Sequence, residues 1–209
     1  MKKLCLLLLT LILVACGTDR HHFEIDGRLT NLNQGEFYVY SPDGGIEGLD
    51  TIKVEGGRFS YEIPCERECL LVVVFPNFSE QPVFAQPGKS IDIKGDASHL
   101  KELEITGSDD NELMTKFRHA IANASPPEIE KHVGLFVSDH AESPVGPYLV
   151  SKYLLRKPQP DYKQAYRLLL SLQSHQPRNA YLNRLLLQTK PLTEASFGTL
   201  PAFTATDVN

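Results

Sequence analysis

The sequence predicts an α+β protein by segregation: an antiparallel β-sandwich over residues 23–107, then a helical segment over 108–192. Three observations carry this. Apolar and polar residues alternate from Phe23 to Ile105, and glycine, proline, asparagine or aspartate bound each alternating group. Beyond Gly107 the apolar spacing changes to three and four, which is the helical period.

In chain order the alternating groups are Phe23 and Ile25; Phe37 and Val39; Ile52 and Val54; Phe59, Tyr61 and Ile63; Ile91 and Ile93; Leu103 and Ile105. Val54-Glu55-Gly56-Gly57-Arg58-Phe59 is the sharpest turn signal, because two glycines can both take positive φ and close a two-residue hairpin. The implied register faces Glu55 with Arg58, Val54 with Phe59 and Ile52 with Tyr61. Asp43-Gly44-Gly45, Pro87-Gly88 and Gly95-Asp96 mark further turns. Leu70-Leu71-Val72-Val73-Val74-Phe75 does not alternate, as expected of a central strand buried on both faces. Seven or eight strands result.

Five helices follow. Ser108 caps the first, with Leu113, Phe117, Ala120, Ile121 and Ala124 on one face. Ser125 before Pro126-Pro127 starts the second, carrying Ile129, Val133, Phe136 and Val137. Ser143-Pro144 opens the third, with Leu149, Val150, Tyr153 and Leu154 inward. Asp161 caps the fourth, and the fifth runs from about Asn179 to Gln188 on the evidence of Leu182, Leu185 and Leu186. Pro158-Gln159-Pro160, Gln176-Pro177 and Lys190-Pro191 read as joints.

Ahead of the strands, Lys2-Lys3 precedes a short apolar run from Leu4 to Val14 that ends on Leu13-Val14-Ala15-Cys16. A positive start, a run too short to span a bilayer and a small-residue cut site make residues 1–15 a secretory signal peptide. Leu-Val-Ala-Cys resembles the lipobox of bacterial lipoproteins, and that resemblance implies lipidation of Cys16, the first residue of the mature chain. Two or three acyl chains, at about 0.8 kcal/mol per buried methylene, hold a protein on a leaflet where one does not. Residues 16–22 then form a polar tether. Gly17 stands where inner-membrane retention in some bacteria uses aspartate, which points to the outer membrane of a Gram-negative cell envelope, facing the periplasm.

The formal charge is −5, and loss of Lys2 and Lys3 makes it more negative, which disfavours nucleic acid as a partner. The expected partners are the membrane, through the lipid, and a protein or a second copy of the chain. The spacing of Cys65 and Cys69 across three residues, two of them acidic, suits a structural disulfide closing a hairpin loop better than a redox site, because nearby carboxylates raise a thiol pKa. Redox work by this pair is the competing enzyme reading.

His21-His22 with Asp19, His132 with His140, and Asp109-Asp110 are metal candidates. The first sits on the tether, the second is spaced by eight, and Asp109-Asp110 suits a helix start, so no metal and no cofactor is expected. Neither a Gly-x-Ser-x-Gly elbow nor a phosphate loop occurs. Tyr38, Tyr40, Phe75, Phe78 and Phe84 either line a groove for a peptide or glycan or pack in the core. Asp50-Thr51-Ile52 resembles a short O-glycosylation motif of some Gram-negative bacteria.

The order of Phe23-Glu24-Ile25-Asp26-Gly27, Gly35-Glu36-Phe37-Tyr38-Val39-Tyr40, Leu49-Asp50-Thr51-Ile52, Gly57-Arg58-Phe59, Pro87-Gly88-Lys89-Ser90-Ile91 and Ile105-Thr106-Gly107-Ser108 behind a lipobox is that of a known family. It resembles the N-terminal module of uncharacterised function in Gram-negative lipoproteins whose C-terminal half is a thioredoxin-like thiol–disulfide oxidoreductase. Residues 193–209, with Leu200-Pro201-Ala202-Phe203, resemble the entry to that second domain. The family's Trp-Cys-x-x-Cys has no counterpart here, since the sequence holds no tryptophan and no cysteine after Cys69. The resemblance therefore implies a non-catalytic accessory or interaction module with no catalytic residue of its own.

Overall fold

The computed structural model describes residues 20–195; residues 1–19 and 196–209, which hold the expected leader, Cys16 and most of the expected tail, lie outside them. Two compact units divide between Asn123 and Ala124. The first contains strands β1 (His22–Thr30), β2 (Gln34–Tyr40), β3 (Leu49–Glu55), β4 (Arg58–Pro64), β5 (Cys69–Val74), β6 (Glu80–Ala85), β7 (Ser90–Asp96) and β8 (Glu104–Thr106), then helix α1 (Asp109–Ala120).

All eight strands join one sheet in the order β6-β5-β2-β3-β4-β1-β7-β8. Every neighbouring pair is antiparallel except β1 and β7, which run parallel. The expected sandwich is thus replaced by one sheet curled into a half-barrel, with Phe23, Ile25, Phe37, Val39, Ile52 and Ile93 in the hollow of the curl.

The turning point lies at the Gly56-Gly57 hairpin. Glu55 and Arg58 do face each other, but the pairing stops there, so the expected partners Val54 with Phe59 and Ile52 with Tyr61 do not form. Instead β4 pairs along its length with β1, from Arg28 opposite Arg58 to His22 opposite Pro64. Gly57 sits at φ +74°, accepts the Leu29 N–H at 2.8 Å and donates to Asn33 O at 3.2 Å. The Phe59 ring turns into the core, packed edge-on against Phe37 at 5.2 Å. A Cβ on Gly27 would stand 2.0 Å from that ring, so only glycine lets Phe59 lie over β1.

Strand β5 is buried on both faces, as its unbroken apolar run implies. Leu71 and Val73 join the main core while Leu70 and Val72 are buried as well. It is second from the edge, however, and β6 is the edge strand. The first turn of α1 covers that edge. Asn111 Oδ1 accepts the Phe84 N–H at 3.0 Å, and its Nδ2 donates to Phe84 O at 2.9 Å and to Ser108 Oγ at 2.7 Å. A side-chain amide thus supplies the donor and acceptor that another strand would have offered. This contact makes α1 part of the first unit, whereas the sequence reading divides the chain before Ser108. The inward side of α1 carries Asn111, Met114, Thr115 and Phe117, while Ala120, expected there, is exposed.

The second unit holds α2 (Pro126–Asp139), α3 (Val145–Val150), α4 (Tyr162–Gln173) and α5 (Ala180–Ala195). Ser125 and Glu128 form the capping box that starts α2, with Glu128 Oε2 2.8 Å from Ser125 N and 2.6 Å from its Oγ. Asp161 Oδ1 accepts the Gln164 N–H at 2.9 Å and so caps α4 as expected. Helix α3 runs on into a wider π turn over Ser151–Leu155. There Lys152 Nζ lies 5.6 Å from the Tyr148 ring centroid and 5.8 Å from that of Tyr153. Leu149, Leu154, Ala165, Leu169, Leu172 and Leu182 form the interior of this unit. Buried Gln176 crosses the joint between α4 and α5 and donates to Ala141 O at 2.7 Å and Ser143 O at 2.8 Å.

Pro191 corrects the sequence reading. It lies inside α5, which continues to Ala195 instead of ending at about Gln188 ahead of a Lys190-Pro191 joint. Proline here removes the bond to the carbonyl four residues back, at Leu187, and that residue is exposed, so water can replace the lost donor.

Asn111→Ala is expected to destabilise the chain by about 2–4 kcal/mol, because a buried strand edge loses both partners and Ser108 loses one. Urea unfolding followed by circular dichroism measures it.

Candidate functional site

The chemically distinctive groups of the first unit gather at the end of the sheet where β1 begins. Strands β4 and β5 are not neighbours in the sheet, since β3 and β2 lie between them. The connection Cys65–Glu68 is therefore a crossover past the ends of β3 and β2, which replaces the hairpin loop expected from sequence. It is pinned at its start by the Cys65 N–H, which donates to His21 O at 2.6 Å. The same donor–acceptor stitching takes His22 O, which accepts from Gly88 N at 2.9 Å, so the last two residues of the expected tether belong to the fold.

Cys65 and Cys69, which the sequence reading joins in a disulfide, are two buried free thiols here. They hydrogen-bond each other, and the Cys65 thiol also donates to Arg67 O at 3.3 Å. Behind Cys69 lies the loop that follows β2. Asp43 is buried; its Oδ2 accepts the Leu70 N–H at 3.0 Å and its carbonyl accepts from the Arg67 guanidinium at 3.1 Å. Ser41 Oγ accepts the Gly45 N–H at 2.7 Å and lies 2.7 Å from Asp43 Oδ1 and 2.9 Å from Leu70 O, one of which takes its proton. Gly45 is required for a steric reason: a Cβ there would stand 2.4 Å from Cys69 Sγ.

This setting disarms the thiols. Burial, then the Asp43 carboxylate, push Cys69 up to about 12. Burial also raises Cys65, with Glu68 adding to it and the Cys69 hydrogen bond and Arg67 opposing it. A thiolate is the nucleophile in exchange chemistry, and its formation is suppressed at both positions. The sequence reading attributes this effect to the intervening glutamates; burial and Asp43 are the larger causes. The sequence does not mark Asp43, Ser41 and Gly45 as parts of the site, because nothing local to the Asp43-Gly44-Gly45 turn shows that β2 and β5 lie side by side.

The other sequence candidates are dispersed. Among the described residues no cluster of three or more His, Cys, Asp or Glu side chains is placed to hold a metal ion. His21 Nδ1 pairs with Glu66 at 3.2 Å at the surface, His140 packs on the Phe136 ring at 4.8 Å, and Asp110 accepts from Gln86 at 3.0 Å. The five aromatics do not line one groove. Phe75 packs edge-on against Phe37 at 4.8 Å inside the curl, Phe84 is buried, and Tyr38 and Tyr40 alternate with the core residues Phe37 and Val39 and so point to the other face. Phe78, at φ +62°, is 87% exposed on the turn between β5 and β6. Thr51 is exposed on β3, next to Asp50, which accepts from Tyr61 OH at 3.1 Å.

Residues 23–114 match the family model described as a domain of unknown function, DUF4369. The match covers β2 to β8, nearly all of β1, and half of α1, that is, the curled sheet together with the residue that seals its edge. Searches of curated proteins and of solved structures returned no match.

Gly45→Ala is expected to cost about 1–3 kcal/mol through overpacking against Cys69, measured by urea unfolding. Because the folded chain holds the Cys69 proton more tightly than the unfolded one, that contribution is full below the ordinary thiol value of 9.0 and is lost as pH rises towards about 12. Stability should therefore fall across that alkaline range, and Cys69→Ala should flatten this part of the pH–stability curve.

Proposed function

We propose that this chain is a lipid-anchored module of a Gram-negative cell envelope, non-catalytic in itself, that serves as the accessory or interaction half of a thiol–disulfide oxidoreductase. The suppressed acidity of Cys65 and Cys69 is the observation that carries the non-catalytic part: a redox site needs a thiolate near neutral pH, and this pocket works against one. The matched domain of unknown function agrees with the resemblance to the N-terminal module of lipoproteins that carry a thioredoxin-like domain.

The anchor rests on the Leu13-Val14-Ala15-Cys16 motif. From Cys16 to the first residue of β1, His22, the chain can span at most about 21 Å. A lipid on Cys16 therefore holds the Cys65, Gln86 and Lys89 end of the sheet near the headgroups and turns the Gly56-Gly57 end away. In an oxidising compartment, a thiol–disulfide oxidant that accepts the two electrons and two protons would join these neighbouring thiols in a disulfide. Thiols of high pKa are poor leaving groups, so the bond, once made, resists exchange and acts as a structural brace across the crossover.

Expressed with its leader in a Gram-negative host, the chain should fractionate with membranes and take up labelled palmitate, and Cys16→Ala should abolish both. Purified chain should show no cysteine-dependent reduction of insulin. Turnover that disappears with Cys65→Ser or Cys69→Ser would reverse the non-catalytic assignment, and an unmodified Cys16 in mature protein would remove the anchor.

A further inference from the structure

The convex face of the curled sheet is charged, and its charges are arranged in rows. Because side chains alternate along each strand, Arg58 of β4, Arg28 of β1 and Lys94 of β7 stand on the face opposite the core. The register sets Arg58 directly across from Arg28, and Arg28 directly across from Lys94. Three cations thus stand abreast on three adjacent strands, over about 10 Å. Directly facing like charges on a sheet are destabilising. Lys94 is relieved by Asp92 at 3.2 Å, but the guanidinium groups of Arg28 and Arg58 have no hydrogen bond or ion pair among the described residues. Even Glu55, across the hairpin mouth from Arg58, forms no ion pair with it.

One step along the same face, Asp26 stands opposite Ser60 on one side and Asp92 on the other. That second row lies about 7 Å from the first, two residues along the strand. Arg28 and Arg58 of the first row and all three residues of the second border one open groove of about 530 Å³, whose wall also includes Gly27, Lys53, Glu55 and Phe59. One side of it therefore offers two unpartnered guanidiniums, and the other offers carboxylates and a hydroxyl.

We propose that this groove binds an acidic saccharide, a sugar unit bearing a carboxylate or phosphate. Arg28 and Arg58 converge on the oxyanion, since facing guanidiniums can each give it a pair of N–H donors. Asp26, Asp92 and Ser60 take the ring hydroxyls, which are donors that only acceptor groups can satisfy. A sugar ring fills the distance between the rows. Bound anion would also neutralise the repulsion that the empty groove carries, so the arrangement trades stability for binding. The proposal stands apart from the anchoring reading and does not depend on it.

Isothermal titration of the full-length chain in detergent micelles with glucuronate, glucose 6-phosphate, glucose and inorganic phosphate tests it, and an oligogalacturonate distinguishes a free sugar from a unit of a polymer. The two acidic sugars, or the oligomer, should bind at least about tenfold more tightly than glucose and phosphate. Arg28→Gln and Arg58→Gln should each weaken that binding about tenfold or more, and Asp26→Asn should weaken the acidic sugars but not phosphate. Without ligand, Arg58→Gln should melt no lower than the parent chain, because it removes a repulsion. No saturable binding of any acidic saccharide, or phosphate binding as tightly as the sugars, would overturn the proposal. Binding unchanged in both arginine variants would overturn it equally.

Discussion

The Phe59 ring lying on Gly27 is the contact on which the first unit depends. It occupies the volume in which any side chain at position 27 would stand, and it packs edge-on against Phe37 at 5.2 Å. It lies where β4, paired with β3 only at Glu55 and Arg58, runs along β1 instead. A flat sheet of these strands would expose the apolar face that the curl now buries, and twist alone does not close so short a set of strands. Because Gly27 yields its inner side to Phe59, the outer side of the same stretch of β1 is left to Asp26 and Arg28.

Two other polar arrangements show the same dependence on distant partners. Strand β6 is buried throughout its last five residues, which leaves no water to satisfy its open edge, and Asn111 supplies the missing ladder bonds from a helix. At the end of the sheet where the chain enters, Asp43 and Ser41 satisfy the backbone of Leu70 and hold the loop that shapes the Cys69 pocket. Both solve a buried-backbone problem with a side chain from a remote segment, and both are fully satisfied as buried networks must be.

In functional terms the two ends and the two faces of the sheet carry different chemistry. The entry end holds Cys65 and Cys69, buried beside the Asp43 carboxylate. The convex face near Arg28 and Arg58 holds charges without partners, which is where a ligand has something to gain.

Much of this protein follows from local pattern. Alternation placed the strands, the paired glycines at 56 and 57 placed the hairpin mouth, and Ser125 with Glu128 and Asp161 with Gln164 placed helix starts, since each signal acts within a few residues and needs no knowledge of the rest of the chain. Strand order was another matter. That β4 would abandon β3 for β1, that β5 would cross to β2, and that one curled sheet would form instead of two stacked ones depended on contacts between residues dozens of positions apart, above all Phe59 with Gly27. The thiol pocket and the facing arginines share that origin. Asp43 reaches Cys69, and Arg28 meets Arg58, only because the register of the folded sheet brings them together; composition and spacing along the chain carry no trace of it.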